Sequence, residues 1–241
     1  MESTRLPGKV LMNICGHPML WHVVHRARQT QSLDQVVVAT SENLANDKIA
    51  SFCDQQAIPC FRGSENDVLD RYYQAAHWLG ADVIVRVTAD CPFIDPVIID
   101  QIVVTHVNGE YDYTSNTIDR TYPDGLDTEV FTIEALAKAW REAKLISERE
   151  HVTPYIWKHR DVFNLHQVTQ SVDQSHFRWT VDEPEDLVFA QTIYEYLYHS
   201  DQLFYADDVI KLLEEHPEFL KINQGFVSNE GYLRSLKEDK L

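Results

Sequence analysis

Arg5 and Lys9 flank the turn Leu6-Pro7-Gly8, directly after Ser3 and Thr4. A short turn between two cations can wrap a polyphosphate. The planar arginine fork grips two phosphate oxygens at once, and the lysine ammonium acts as a point charge. Ser3 and Thr4 add hydroxyls and free backbone N–H groups. The pattern is not the GxxxxGK[ST] phosphate loop, because Val10 follows Gly8-Lys9 and no glycine stands five residues before Gly8. By spacing alone the same residues also fit a flexible basic N-terminus.

Two acidic segments could supply a metal. Thr88-Ala89-Asp90-Cys91-Pro92 lies just past an apolar run, Asp82–Thr88, that reads as a central strand. Ligands of open α/β sheets collect at that strand edge. A carboxylate there, Asp90, suits Mg²⁺, which takes oxygen ligands and keeps several waters. Asp95 precedes Pro96 and reads as a helix N-cap. In Val181-Asp182-Glu183-Pro184-Glu185-Asp186, Glu185 and Asp186 read as acids that open a helix behind a first-turn proline. Asp182 could be a second metal carboxylate, although spacing does not establish it. His22 and His25, three apart on a helical pattern, lack a fixed acidic partner and read as an ordinary surface pair.

These residues need a frame. Apolar residues recur at helical spacing from His17 to Thr30, and Gln35–Thr40 is a β-branched run of the kind a parallel sheet buries on both faces. A helix over 44–56, a strand over 58–61, a helix from Asn66 ended by Gly80, the strand 82–88 and a helix over 96–107 follow. This order predicts a doubly wound, mostly parallel sheet. Strands are expected at 111–115, 127–132, 163–169 and 176–181, with helices at 133–144, 147–159, 184–198 and 207–215 and an irregular end. One main domain over 1–200 with a C-terminal helical extension over 201–241 packed on it is expected.

Twenty-one Lys and Arg against 38 Asp and Glu leave a formal charge of −17 over 241 residues, which argues against nucleic acid or anionic membranes as partners. No apolar run approaches the ~20 residues that span a bilayer. Cys15, Cys53, Cys60 and Cys91 form no CxxC pair or zinc spacing and are expected as free thiols in a reducing cytoplasm.

Read in order, Ser3–Leu11, Gly16-His17-Pro18-Met19-Leu20, Asp90-Cys91-Pro92 and Val181–Leu187 resemble the motifs of the cytidylyltransferases, the family of the CMP-ketodeoxyoctonate and CMP-sialic acid synthetases. Asp67–Tyr72, Tyr122–Phe131, Glu148–Tyr155 and the stretch from Lys221 to Leu233 are similar to the spore coat polysaccharide biosynthesis protein F branch. The resemblance spans essentially the whole chain. It implies a nucleotide-diphospho-sugar transferase type of fold and a reaction in which CTP and a sugar acid give a CMP-sugar and pyrophosphate, for surface polysaccharide. It implies that Ser3, Arg5, Lys9 and Arg71 hold the nucleotide, that Lys9, Asp90 and Asp182 serve catalysis, and that Asp90 and Asp182 bind Mg²⁺. It places Ser115, Asn116, Asp124, Asp127, Glu129, Glu150 and His151 on the sugar side, and implies a cytoplasmic homodimer formed around Tyr111–Phe131.

The resemblance also implies a strand, a Gln-Ala-Arg-like segment and a glycine before Ser-Thr-Arg, where this sequence has Met1-Glu2. A sheet lacking its usual first strand is therefore expected, with two strand edges exposed and part of the base pocket missing. A start assigned too late and a shortened, degenerate subunit both fit. A sugar-1-phosphate nucleotidyltransferase would share the loop and the metal. A glycosyltransferase would more often show Asp-x-Asp where this chain has Asp90-Cys91-Pro92.

Overall fold

The computed structural model describes residues 5–226 and 230–239. Behind a 3-10 turn, Lys9–Leu11, the chain makes a small antiparallel hairpin, β1 (Asn13–Ile14) and β2 (His17–Pro18). Helix α1 (Met19–Ala27) follows and buries Met19, Leu20, Val23 and Val24, the residues whose spacing predicts it. Strand and helix then alternate: β3 (Val38–Ser41), α2 (Asp47–Gln55), β4 (Cys60–Gly63), α3 (Val68–Leu79), β5 (Val83–Arg86), α4 (Pro96–Gly109) and β6 (Tyr113–Ser115). The second half holds β7 (Glu129–Thr132), α5 (Ile133–Glu142), α6 (Ile146–His151), α7 (Pro154–Lys158), β8 (Leu165–Gln167), α8 (Pro184–Leu197), α9 (Ala206–Glu215) and α10 (Glu230–Glu238).

The sheet is mixed but mostly parallel. β3 pairs with β4 in parallel, Val38 opposite Cys60. The larger sheet runs β5-β7-β6-β8; β7 alone is antiparallel to its neighbours, while β6 and β8 are parallel. Among the described residues β3 and β5 each have a hydrogen-bonded neighbour on one side only. β6 and most of β7 are buried inside the four-stranded sheet.

Three sequence expectations need correction. Residues 176–181 form no strand: the Asp124 carbonyl accepts the N–H groups of Trp179 and Thr180, and the Asp124–Arg178 bridge is isolated. The helix expected over 147–159 is two, broken where Val152 takes φ 74° ahead of Thr153-Pro154. Pro154 has no backbone N–H with which to continue α6, and Val152 has already left helical φ. The irregular end contains α10, whose Ser235 hydroxyl donates to Glu150 at 2.5 Å.

The main core explains how distant segments meet. Leu6, Phe93, Ile94, Trp179, Val181, Phe189, Tyr194 and Val209 are all buried in one cluster. It ties the N-terminal loop, the exit from β5, the start of α8 and the tail helix α9 to one apolar mass. Burying such side chains is worth about 1.5–3 kcal/mol each, ample to hold short loops in register. A second cluster, with Tyr113, Phe131, Leu136 and Ile156, packs the other end of the sheet against α5 and α7.

Candidate functional site

Lys9 reaches the site because its loop is pinned on both sides. Leu6 is buried in the main core, and Gly8 takes φ 73°, a left-handed conformation that glycine adopts without steric cost. The chain turns there, and the Lys9 N–H donates back to the Leu6 carbonyl. The Lys9 ammonium then lies 2.7 Å from Asp90 Oδ2 and 2.8 Å from Asp182 Oδ1.

Asp90 stands four residues past the end of β5, in a tight turn fixed by Cys91 N–H to the Thr88 carbonyl and by buried Cys91, Phe93 and Ile94. Asp182 comes alongside because the Val181 N–H donates to the Asp90 carbonyl at 2.8 Å. Burial pushes the Asp90 carboxyl up, but the Lys9 ammonium outweighs it and holds the group below the usual carboxylate range. Burial likewise pulls Lys9 down, and Asp90 with Asp182 more than restores it, so Lys9 is held above the usual lysine range. Lys9 and Asp90 are therefore charged together at neutral pH.

Arg5 extends the cluster. Its Nη2 lies 3.1 Å from Asp182 Oδ1, and its Nη1 is 2.9 Å from both Glu183 Oε1 and Glu230 Oε2. Behind Asp182 sits a clamp that the sequence reading treats only as helix-opening acid. Asp186, fully buried, accepts the backbone N–H groups of Asp182 and Glu183 at 3.0 and 2.9 Å and a bidentate Arg178 fork at 2.8 Å. Asn223, from the tail, adds its amide to Asp186 and to the Arg178 carbonyl. Burial raises the Asp186 carboxyl, but Arg178 and the two amides bring it net below its ordinary value. A readable signal was the spacing Arg178, Asp182, Asp186.

The other expected residues divide. Ser3 lies outside the described residues. Arg71 is on α3, where Nη1 donates to the Ser64 carbonyl at 2.6 Å and Nε is buried without a hydrogen-bond partner; among the described residues no ion pair joins it to Asp90 or Asp182. Glu129 is the centre of a second polar cluster: Arg86 pairs with it, Tyr113 donates at 2.7 Å and Thr153 at 2.5 Å. Arg86 and its role were missed, although a charge within Val83-Ile84-Val85-Arg86-Val87 was a visible anomaly. Asn116 clamps the loop before β7, donating to the Leu126 carbonyl and accepting from Thr128 N–H. Asp127 receives both Arg120 nitrogens, at 2.5 and 2.6 Å, with Asp124 3.7 Å from Arg120. Ser115 sits at the end of β6 opposite Glu129. Glu150 and His151 are not brought to Lys9: both meet Ser235 of α10, His151 Nε2 at 3.0 Å. His22 and His25 do not form a site, since buried His22 uses Nε2 on the Ile14 carbonyl at 2.7 Å.

The geometry is a basic loop over a carboxylate pair at the exit of β5. The model of the cytidylyltransferase family matches residues 1–224. The chain belongs to the cytidylyltransferase family. The spore coat polysaccharide biosynthesis protein SpsF of Bacillus subtilis is 32% identical over 225 residues, 90% of this chain and 92% of that one. A 3-deoxy-manno-octulosonate cytidylyltransferase of Nitratidesulfovibrio vulgaris is 40% identical over 106 residues, 42% of this chain and 40% of that protein. A cytidylyltransferase structure from Leptospira borgpetersenii superposes with a TM-score of 0.88 at 32% identity, over 94% of this chain and 95% of that one. Members of the cytidylyltransferase family are nucleotidyltransferases, and the fold described above is theirs. Among the described residues no helix is long and apolar enough to cross a membrane.

Proposed function

We propose that this protein transfers CMP from CTP to a sugar acid, releasing pyrophosphate and supplying a CMP-sugar for surface polysaccharide. The observation that carries this reading is the convergence of Arg5 and Lys9 with Asp90 and Asp182 at the exit of β5. The names of the relatives, one a spore coat polysaccharide protein and one a 3-deoxy-manno-octulosonate cytidylyltransferase, supply the substrate class.

Mg²⁺ fits the residues present. Asp90 and Asp182 already share one cation, the Lys9 ammonium, within hydrogen-bond distance of both. Their donor set is all oxygen, the kind Mg²⁺ prefers. Among the described residues no third His, Cys, Asp or Glu completes a cage, which suits an ion that fills its remaining positions with water and phosphate. Asp90 and Asp182 would hold it, and there it would supply positive charge to the triphosphate and would lower the pKa of an attacking hydroxyl.

The chain's own groups do the rest. Arg5 grips phosphate oxygens with its fork, and Lys9 sets a positive charge where the α-phosphorus accumulates negative charge and pyrophosphate departs. Asp186 and Arg178 keep Asp182 in place. The largely buried cluster of Glu129, Arg86, Tyr113 and Thr153 ties β5, β6 and β7 to the start of α7 and so shapes the acceptor side from behind, with Ser115 at its edge. Asn116 and Asp127 act by shaping the loop that leads into β7.

Pyrophosphate release, measured with CTP, Mg²⁺ and either 3-deoxy-manno-octulosonate or a sialic acid, tests the proposal. Release that needs both CTP and a sugar acid supports it. Release with a sugar 1-phosphate instead would move the protein to the rival nucleotidyltransferase class.

A further inference from the structure

Seven ion pairs link eight residues into one network: Arg5, Lys9 and Arg178 against Asp90, Asp182, Glu183, Asp186 and Glu230. Three cations against five carboxylates leave it two negative charges from neutral. Lys9 is the most enclosed member outside the Arg178–Asp186 pair, its side chain 12% exposed, and both its short contacts go to the two carboxylates assigned to the metal. The same ammonium cannot hold those oxygens and a triphosphate at once without a second cation to share them.

We infer that Lys9 is the internal counterion of the Asp90–Asp182 pair, and that it makes divalent metal and nucleotide bind as an obligate couple. Without nucleotide, a metal ion meets carboxylates already neutralised by Lys9 and Arg5. Without metal, a triphosphate meets a net-negative network whose cations are spent on carboxylates. When both arrive, the metal takes over Asp90 and Asp182, and the ammonium moves on its flexible four-carbon stem to the phosphates. Each ligand thus removes the obstacle to the other, and the coupling is reciprocal by linkage. This inference rests on the assignment of Asp90 and Asp182 to the metal in the proposed function.

The test is Mn²⁺ binding followed by loss of the free-ion electron paramagnetic resonance signal, on the full chain without nucleotide, for the natural protein and Lys9→Met. Methionine keeps the length of the stem and removes the charge. Lys9→Met is expected to bind one Mn²⁺ at least about tenfold more tightly than the natural protein, and Lys9→Met/Asp90→Asn to lose that ion. In parallel, calorimetry of CTP binding to the natural protein is expected to show affinity at least about tenfold higher with Mg²⁺ than with chelator. If the natural protein without nucleotide binds Mn²⁺ as tightly as Lys9→Met, the counterion role is overturned; if Lys9→Met does not fold, CTP affinity of the natural protein that is equal with Mg²⁺ and with chelator overturns the coupling. If neither protein binds Mn²⁺ yet CTP binding needs Mg²⁺, the counterion role falls and the metal assignment stands. If neither binds Mn²⁺ and CTP is indifferent to Mg²⁺, the metal assignment itself falls.

Discussion

Arg178 lays two guanidinium nitrogens on the two oxygens of Asp186, each at 2.8 Å, and the same carboxylate accepts the backbone N–H groups of Asp182 and Glu183. The pair is a rivet between the strand-like entry to the site and the first turn of α8. Removing one partner strands the other charge in the interior, which costs about 3–5 kcal/mol. Asp186→Asn is therefore expected to lower stability in urea by that amount. Glu185→Gln, one residue away and exposed, should change stability by no more than about 0.5 kcal/mol.

Gly125 is a second fixed point. Its φ is 117°, and a Cβ there would lie 2.6 Å from the Thr180 amide nitrogen and from the Trp179 carbonyl carbon. Backbone cannot give way as a flexible side chain can. Gly125→Ala is expected to cost about 3 kcal/mol or more and to lower the melting temperature accordingly. An unchanged melting curve would show that the Tyr122–Asp127 loop does not press on the Trp179 backbone as described.

Stability should fall in mild acid because of a buried ring. Burial holds His22 at a pKa of about 4, against an ordinary 6.5. Above pH 6.5 the ring is neutral in both folded and unfolded chains. Between 6.5 and about 4 the unfolded chain takes the proton and the folded protein does not, so stability drops through that window by about 3 kcal/mol. His22→Gln should flatten the decline when urea unfolding is compared at pH 7 and pH 4.5. His25 and His106 are lowered by burial too, so some slope should persist.

Glu230, the first residue of α10, holds Arg5 Nη1 at 2.9 Å, so in the proposed function it would compete with a phosphate for that nitrogen. The pair is solvent-exposed and weak, worth at most about 1 kcal/mol. Glu230→Gln is expected to tighten CTP binding about two- to fivefold by calorimetry. Weaker binding would mean that Glu230 supports the phosphate grip.

Much of the frame was legible because local chemistry and tertiary need agree there. Gly80 ends α3 in a left-handed conformation, and Asp95 caps α4 through the Val97 N–H at 2.9 Å. What escaped depends on contacts distant in sequence. Residues 176–181 carry the apolar alternation of a strand, yet Asp124 takes two of their amides through one carbonyl, so no ladder forms. Asp186 looks like any acid in a first helical turn until Arg178 and Asn223 are folded onto it. Asp182 could not be joined to Asp90 by spacing, since 92 residues separate them and the Val181–Asp90 backbone bond brings them together. Glu150 and His151 sit in a family-like motif, but α10 covers them, and nothing local announces where a tail helix will dock.

The most direct test of the central claim is calorimetric titration of the chain with CTP, ATP, GTP and UTP in Mg²⁺, alongside Asp90→Asn. One CTP per chain is expected, bound at least about tenfold more tightly than the other three, with the preference for Mg²⁺ lost in the variant. Binding of no nucleotide, or of all four alike with Asp90→Asn unchanged, would contradict a CTP site built on Arg5, Lys9, Asp90 and Asp182.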